Sequence, residues 1–374
     1  MIRKNCSVSF RKTKSAIFKQ HRLNSKRFIC FLLFFGQLFF LLSGITSAGV
    51  IYAQNGFRVM FYNTENLFDC DHDSLKNDTE YLPSSMRAWH YGRYKQKINN
   101  IAKVIAAVGE WTPPVLVGLC EVENNRVMDD LVKYSSLKEF EYRYIMTNSR
   151  DERGIDVALL YQRGSFRLLH QESVRIFFQE KGRKPTRDIL YASGLVSTGD
   201  TLDVFVIHFP SRAGGERESE PARKFVASVL KQKTDSLSLY RFHPNILIMG
   251  DFNDGHKSVA ISKTLGAVSP NSLISDHSLY DLFIQSGDKI SHGTYKYQGE
   301  WETIDHIIVS GYLLQKKEGF FVKGSMAHVP SLSFLMEKDE KYTGYCPFRT
   351  YVGMKYHGGF SDHLPIFVDF SLPE

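Results

Sequence analysis

Cysteine is scarce in this sequence, five residues in 374, and two of them, Cys6 and Cys30, fall within the first fifty positions. The three that follow, Cys70, Cys120 and Cys346, are an odd number, which leaves room for one intramolecular disulfide and excludes a fold built on a disulfide framework. Cys120 closes an apolar run and is expected to be buried, whereas Cys70 and Cys346 fall in loop-like stretches, so their pairing is the disulfide to test. Long apolar runs are missing too: Phe28 to Leu42 is shorter than the roughly 20 residues that a membrane-crossing helix needs. No low-complexity tract, internal repeat or linker follows, which excludes repeat arrays and leaves one large globular domain as the simplest organisation.

Acidic residues are absent from positions 1–27, which carry nine Lys or Arg. The apolar run Phe28 to Leu42 comes next, then mostly small residues from Ser43 to Ala53, with Ala48 and Ala53 as cleavage positions. That is the order of a secretory signal peptide. Residues 1–53 are therefore read as an export signal, with an uncleaved N-terminal anchor as the alternative, residues 54–374 as the folded domain, and the destination as the periplasm or the exterior. No cysteine follows the apolar run closely enough for a lipoprotein. The whole chain has 47 basic and 40 acidic residues; without the nine leader charges the balance is 38 against 40. The domain is near neutral and lacks the global positive field that draws in nucleic acid, although a local basic patch stays open.

Short apolar or alternating runs ending in turn residues predict strands over Phe57 to Tyr62, Val115 to Leu119, Ile155 to Tyr161, Leu202 to Phe209, Ile246 to Met249, Ile304 to Val309 and Ile366 to Phe370. Ile98, Ile101, Ala102, Ile105 and Val108 recur at helical spacing. Pro221 to Leu239 is a second helical stretch, with its proline near the first turn. Many strands and a few long helices predict an α/β (α+β) layered protein, two packed sheets with outer helices.

Polar residues collect where these strands stop: Asn63, Glu65 and Asn66; Glu121, Glu123 and Asn124; His208; the turn Asp251-Phe252-Asn253-Asp254-Gly255; Asp305-His306; and Ser361-Asp362-His363. Any one of them alone is ordinarily a turn residue, a cap or a satisfied core histidine. Their repetition at the ends of apolar strands from distant parts of the chain is what a sheet scaffold needs to assemble one site.

In these contexts the set resembles the endonuclease/exonuclease/phosphatase superfamily, which includes pancreatic-type deoxyribonucleases, abasic-site endonucleases, neutral sphingomyelinases and inositol-polyphosphate phosphatases. The matching segments are FYNTENLFD, GLCEVEN, GIDVALLYQ, VIHFPSR, ILIMGDFND, TIDHIIVS and FSDHLPIFVDF, spanning Phe61 to Phe370. The resemblance implies a four-layer α/β/β/α sandwich of two mixed sheets and a hydrolase of phosphate esters that uses Mg²⁺ or Mn²⁺. It implies Glu121 as metal ligand, with Asp362 and Glu65 contributing directly or through water. Asn63 and Asn253 would hold phosphate oxygens or orient water, and Asp251 would take the water's proton. His363, paired with Asp305, would meet the charge developing on phosphorus, and His208 would protonate the leaving group. Asp156 is a further candidate, as the carboxylate orienting His208. These roles suit the reaction, since an anionic diester needs a cation, a base and a donor for the departing oxygen, and hard Mg²⁺ prefers carboxylate oxygens.

Arg212 and Arg223, in and beside the SRAGGERESEPAR stretch, are candidate phosphate contacts, with a solvated charged loop as the alternative. Trp301 is read as core or pocket wall, and Gly319 to Gly359 as a loop beside the site. The substrate is a phosphate ester: nucleic acid, a phospholipid headgroup or a small phosphoester. No obligate protein partner is implied. DNA repair is disfavoured by export and by the lack of dedicated DNA-gripping loops. The alternative of another class is a catalytically silent module that binds phosphate-bearing ligands or a protein; such a module would be expected to lose a ligand or the base, and here Asn63, Glu121, Asp251, Asn253, Asp305, Asp362 and His363 are all present.

Overall fold

The computed structural model describes residues 56–372 apart from 181, 271–272, 285–292, 316–318 and 325, so the leader expected over 1–53 lies outside the described residues. Its first sheet contains β1 (Phe57–Leu67), β2 (Leu116–Val122), β3 (Arg143–Met146) and β4 (Asp156–Tyr161). The second contains β5 (Phe166–Val174), β6 (Ile189–Val196), β7 (Thr201–His208), β8 (Ile246–Asp251), β9 (Ala267–Val268), β10 (Leu279–Asp281) and β11 (Asp305–Ser310). Strands β12 (Phe321–Val322) and β13 (Ile366–Ser371) return to the first sheet. The orders are β12-β13-β1-β2-β4-β3 and β5-β6-β7-β8-β11-β10-β9.

The central strands are apolar on both faces because each sheet is covered twice. Phe57, Val59 and Phe61 of β1 pack inward with Val204 and Val206 of β7 and Leu247 and Met249 of β8, forming the core between the sheets. Their neighbours Met60 and Tyr62 point the other way, onto α1 (Tyr91–Gly109) and α2 (Asn125–Lys133). Phe205, Ile207, Ile246 and Ile248 likewise face outward, onto α3 (Glu216–Tyr240). The two-residue period of a strand thus sends alternate residues to different cores, and the result is the four-layer α/β/β/α sandwich. Packing between the sheets is close: a Cβ on Gly118 would sit 2.8 Å from the Met249 sulfur.

All seven expected strands are present, with bounds that differ from the expected ones by one to five residues at one or both ends. Helix α1 presents Ile98, Ile101, Ala102, Ile105 and Val108 as its buried face and stops before Pro113–Pro114, whose rings cannot continue it. Helix α3 begins five residues before Pro221, which lies inside the helix and on its exposed side. Asn124 is a helix cap, its side chain accepting from Val127 N. Cys120 is buried as expected, and Cys70 and Cys346 are separate thiols, so the disulfide raised for testing is not formed in this structure.

Candidate active site

Strand register brings the polar ends together. Strands β7 and β8 are parallel with His208 opposite Asp251, and β8 and β11 are antiparallel with Asp305 opposite Asp251. Strands β1 and β2 run parallel and end at the same edge, while β13 pairs antiparallel to β1 and places His363 just ahead of it, beside Asn63. Bulges then redirect side chains at that edge. The register shifts between Asn63 and Leu67 and again between Cys120 and Val122, and Glu65, Asn66, Glu121 and Asn253 have φ of 52°, 56°, 60° and 51°. Left-handed backbone costs a side-chain-bearing residue about 1–2 kcal/mol. Local bonds hold it in place: Asn66 N donates to Glu121 Oε2 at 2.9 Å and Thr64 Oγ1 to the Cys120 carbonyl at 2.8 Å.

Asp251 is the hub. Asn63 Nδ2 donates to its Oδ2 at 3.0 Å and Asn253 N to its Oδ1 at 2.8 Å. His208 Nε2 lies 3.6 Å and His363 Nε2 3.9 Å from Oδ2. Burial pushes the Asp251 carboxyl up to about 7 against the opposing pull of His363. His363 Nδ1 meets Asp305 Oδ2 at 2.8 Å, and Ser361 Oγ accepts from His363 N while donating to the Asn63 carbonyl. Burial disfavours charge on His363, but Asp305 and Asp251 outweigh it and hold the imidazole well above its ordinary range. His208 is the opposite case: burial first, then Arg187 and Arg153, keep it neutral, and its buried Nδ1 has no partner among the described residues.

Ligand atoms of Asp251, Asp305 and His363 lie within 4.8 Å of one another. A cation cage there would compete with the hydrogen bond that favours imidazolium, which has no lone pair to give, so the trio is better read as a base beside an ion pair. Glu121 suits a hard cation more: its Oε2 is fixed by Asn66 N, while its Oε1 points toward His208 Nε2, 3.9 Å away, on a partly exposed side chain. Together with the buried Asp305 Oδ1, unpartnered among the described residues, this is an oxygen-rich edge of the kind Mg²⁺ or Mn²⁺ prefers.

The other expected residues are placed differently. Glu65 does not face Glu121: its Oε2 accepts from Thr350 N at 2.7 Å and its Oε1 from Arg349 Nε at 3.2 Å. Asp362 Oδ2 accepts from Arg349 Nη2 at 2.9 Å. Arg212 pairs with Glu302 at 2.5 Å. Asp156 does not orient His208; it opens β4 beside a turn with free donors, and its Oδ1 accepts from Thr147 Oγ1 at 2.5 Å and Ser149 N at 2.9 Å. Trp301 is pocket wall, packed on the core beneath α1 and lining a groove of about 1000 Å³.

Arg223 is not a phosphate contact. Its guanidinium is fully buried, 2.7 Å from Asp254 Oδ2 and bonded to Ser219 Oγ at 2.7 Å. On the opposite side His306, whose side chain alternates away from Asp305, places Nε2 3.0 Å from the Asp254 carbonyl and Nδ1 2.7 Å from Asp281. The turn carrying Asp251 and Asn253 is thus anchored from behind. Arg223→Met leaves Asp254 buried and unpaired and is expected to cost about 3 kcal/mol of stability, measured by urea unfolding. A raised KM with stability unchanged would instead return Arg223 to the substrate.

Arg349 and Lys97 were not singled out from sequence. Arg349 lies in an irregular segment with no periodic signal. Lys97 did carry one: with Tyr94, Ile101, Val104 and Val108 it falls at three- and four-residue spacing on the apolar side of α1. It is buried, its ammonium donating to Thr350 Oγ1 and the Phe360 carbonyl at 2.5 Å and lying 3.9 Å from Glu65 Oε2.

The sequence profile of the Endonuclease/Exonuclease/phosphatase family matches residues 58–371. No curated protein matches the chain in sequence. Among solved structures, the catalytic domain of human Nocturnin with bound sulfate is similar at 15% identity and a TM-score of 0.50, over 85% of this chain and 94% of that one. A humanized D. rerio TDP2 is similar at 15% identity and 0.52, over 85% and 99%. The mannosyl-6-phosphatase of Bacteroides thetaiotaomicron VPI-5482 is similar at 18% identity and 0.52, over 84% and 100%. At these identities the likeness extends to the fold.

Proposed function

The chain belongs to the Endonuclease/Exonuclease/phosphatase family, and on that premise we propose that it is a divalent-cation-dependent hydrolase of phosphate esters that directs water onto phosphorus. The observation that carries the reading is the Asp251 hub: a buried carboxylate near neutral pKa, oriented by Asn63 and Asn253, next to a His363–Asp305 pair. Glu121 would hold Mg²⁺ or Mn²⁺, which when bound supplies positive charge against the phosphate oxygens.

Asp251 takes the proton of the attacking water as its oxygen bonds to phosphorus. Asn63 and the Asn253 backbone fix that carboxylate, and the Asn253 side chain, held to the Phe209 carbonyl at 3.1 Å, lines the same turn. The imidazolium of His363 meets the negative charge growing on the non-bridging oxygens, its position set by Asp305. The P–O bond to the leaving group breaks with its electrons on that oxygen, where His208 supplies a donor. Neutral in the empty site, His208 becomes more basic beside a phosphate anion. The mutual reach of Asn63, Asp251, Asp305 and His363 supports a catalyst over a silent binding module. The substrate is a phosphate ester, whether in nucleic acid, a phospholipid headgroup or a small molecule, and residues 1–53 favour export to the periplasm or beyond.

Hydrolysis of plasmid DNA, RNA, sphingomyelin, an inositol phosphate and chromogenic mono- and diesters, each with Mg²⁺ and with chelator, tests the reading. Cleavage of one class that chelator abolishes and Mg²⁺ or Mn²⁺ restores is the expected result. Cleavage that persists in chelator would remove the cation from the mechanism, and inactivity on the whole panel would return weight to a binding module.

A further inference from the structure

We propose that Arg349 is a built-in cation that takes the place of a second metal ion, so that the site binds one divalent cation per chain. The inference rests on the functional reading above and goes further, since it concerns carboxylates that a cation-dependent site would be expected to use.

Three carboxylates beyond the Asp251 hub stand at this edge: Glu121, Glu65 and Asp362. Glu121 is left with an uncommitted oxygen, as described. Glu65 and Asp362 are not: the guanidinium of Arg349 spans them, Nε to Glu65 Oε1 at 3.2 Å and Nη2 to Asp362 Oδ2 at 2.9 Å. A planar group with donors along two edges meets both acids in fixed directions, where an ammonium would act as a point charge. The remaining Glu65 oxygen takes the Thr350 N–H at 2.7 Å and lies 3.9 Å from the buried Lys97 ammonium. Two negative charges are therefore matched by two fixed positive charges, and their lone pairs are already directed at N–H donors. A second divalent ion would have to displace the guanidinium and would add its charge to that of Lys97.

The local fold holds Arg349 for this role. Phe360 N donates to the Phe348 carbonyl at 2.6 Å and Gly359 N to the Arg349 carbonyl at 3.2 Å, tying the chain around Arg349 to the approach to Asp362. A Cβ on Gly359 would lie 2.2 Å from the Phe348 carbonyl oxygen, so only glycine permits this approach. Lys97, from α1, closes the same junction at Thr350 and Phe360.

The test counts Mn²⁺ bound to the metal-stripped full chain, by equilibrium dialysis and by electron paramagnetic resonance of the free ion. Wild type is expected to bind one Mn²⁺, lost in Glu121→Gln. Arg349→Met, which keeps the aliphatic stem and removes the charge, is expected to bind two, with the additional ion lost again in Arg349→Met/Asp362→Asn. Arg349→Lys, which keeps the positive charge, is expected to keep the count at one. Circular dichroism and thermal unfolding establish that each variant is folded, and if Arg349→Met does not fold, Arg349→Gln, which also removes the charge, takes its place with the same expected count of two. Two ions in wild type, or one in folded Arg349→Met, would overturn the proposal. Absence of any bound ion in wild type, with no activity on the ester panel, would instead sink the functional reading on which it rests.

Discussion

Asp251→Asn is expected to lower turnover by roughly 10³-fold or more while leaving the fold intact, since a positioned base contributes about 10²–10⁴-fold. The replacement is nearly isosteric and keeps an acceptor for Asn253 N, so lost activity cannot be assigned to a lost turn. It exchanges the Asn63 hydrogen bond at 3.0 Å for a donor facing a donor, an unfavourable change offset by removal of a buried charge. Stability is therefore expected to change by no more than about 1 kcal/mol. The pH dependence gives a separate signature. In the cation-free protein Asp251 titrates near 7 because it is buried, against about 3.9 in an unfolded chain. Between those values the native state holds the more protons, so the Asp251 contribution to stability falls as pH rises from about 4 to about 7. Urea unfolding in chelator at pH 5 and pH 8 should show a steeper fall in wild type than in Asp251→Asn, the part common to both coming from other groups raised by their surroundings, Glu123 and His363 among them. Activity runs the other way, because the base must be ionised: kcat/KM is expected to rise with pH and level off at or below about 7, since a bound cation lowers the carboxyl further. A variant that keeps more than a tenth of the wild-type rate would remove Asp251 as the base.

The parts of the fold legible in the sequence were those where burial on both faces leaves an unbroken apolar run, as in β1, β7 and β8. Strand β5 was hidden because it is an edge strand with largely exposed residues, and β6 because its Ala192, Ser193 and Gly194 carry little strand preference. The short helix α2 announces itself mainly through its cap, Asn124, which in the sequence stands among the polar strand-end residues. The site divides in the same way. Asn63, Glu121, His208, Asp251, Asp305 and His363 were recognisable because strand ends converge, and register brings them to one edge. The bulges that turn Glu65 away from Glu121 were not, because the left-handed residues there are Glu and Asn rather than glycine. Arg223 and Asp156 show the limit most clearly: both are polar, and both are consumed by buried partners that only tertiary packing supplies.

His363→Ala is the second large loss expected, on the order of 10²–10³-fold in turnover from removal of a preorganised positive group. Its consequences extend beyond the missing charge. Asp305 is almost fully buried and has only one oxygen partnered among the described residues, by His363 itself. Without the ring, Asp305 stands uncompensated next to Asp251, the two being opposite each other on paired strands. Like charge disfavours ionisation, so Asp251 moves further upward and its activity limb shifts to higher pH. The variant should also be less stable, by about 3 kcal/mol if Asp305 remains ionised. Asp305→Asn added to His363→Ala removes the stranded charge. The double variant is expected to recover stability and return the limb toward its wild-type position, while turnover stays low because the imidazolium is still missing. That divergence separates a group acting on the substrate from one that merely packs. If the ring serves only to fill space, turnover would follow stability through the cycle, and recovery of rate in the double variant would exclude the role assigned to His363.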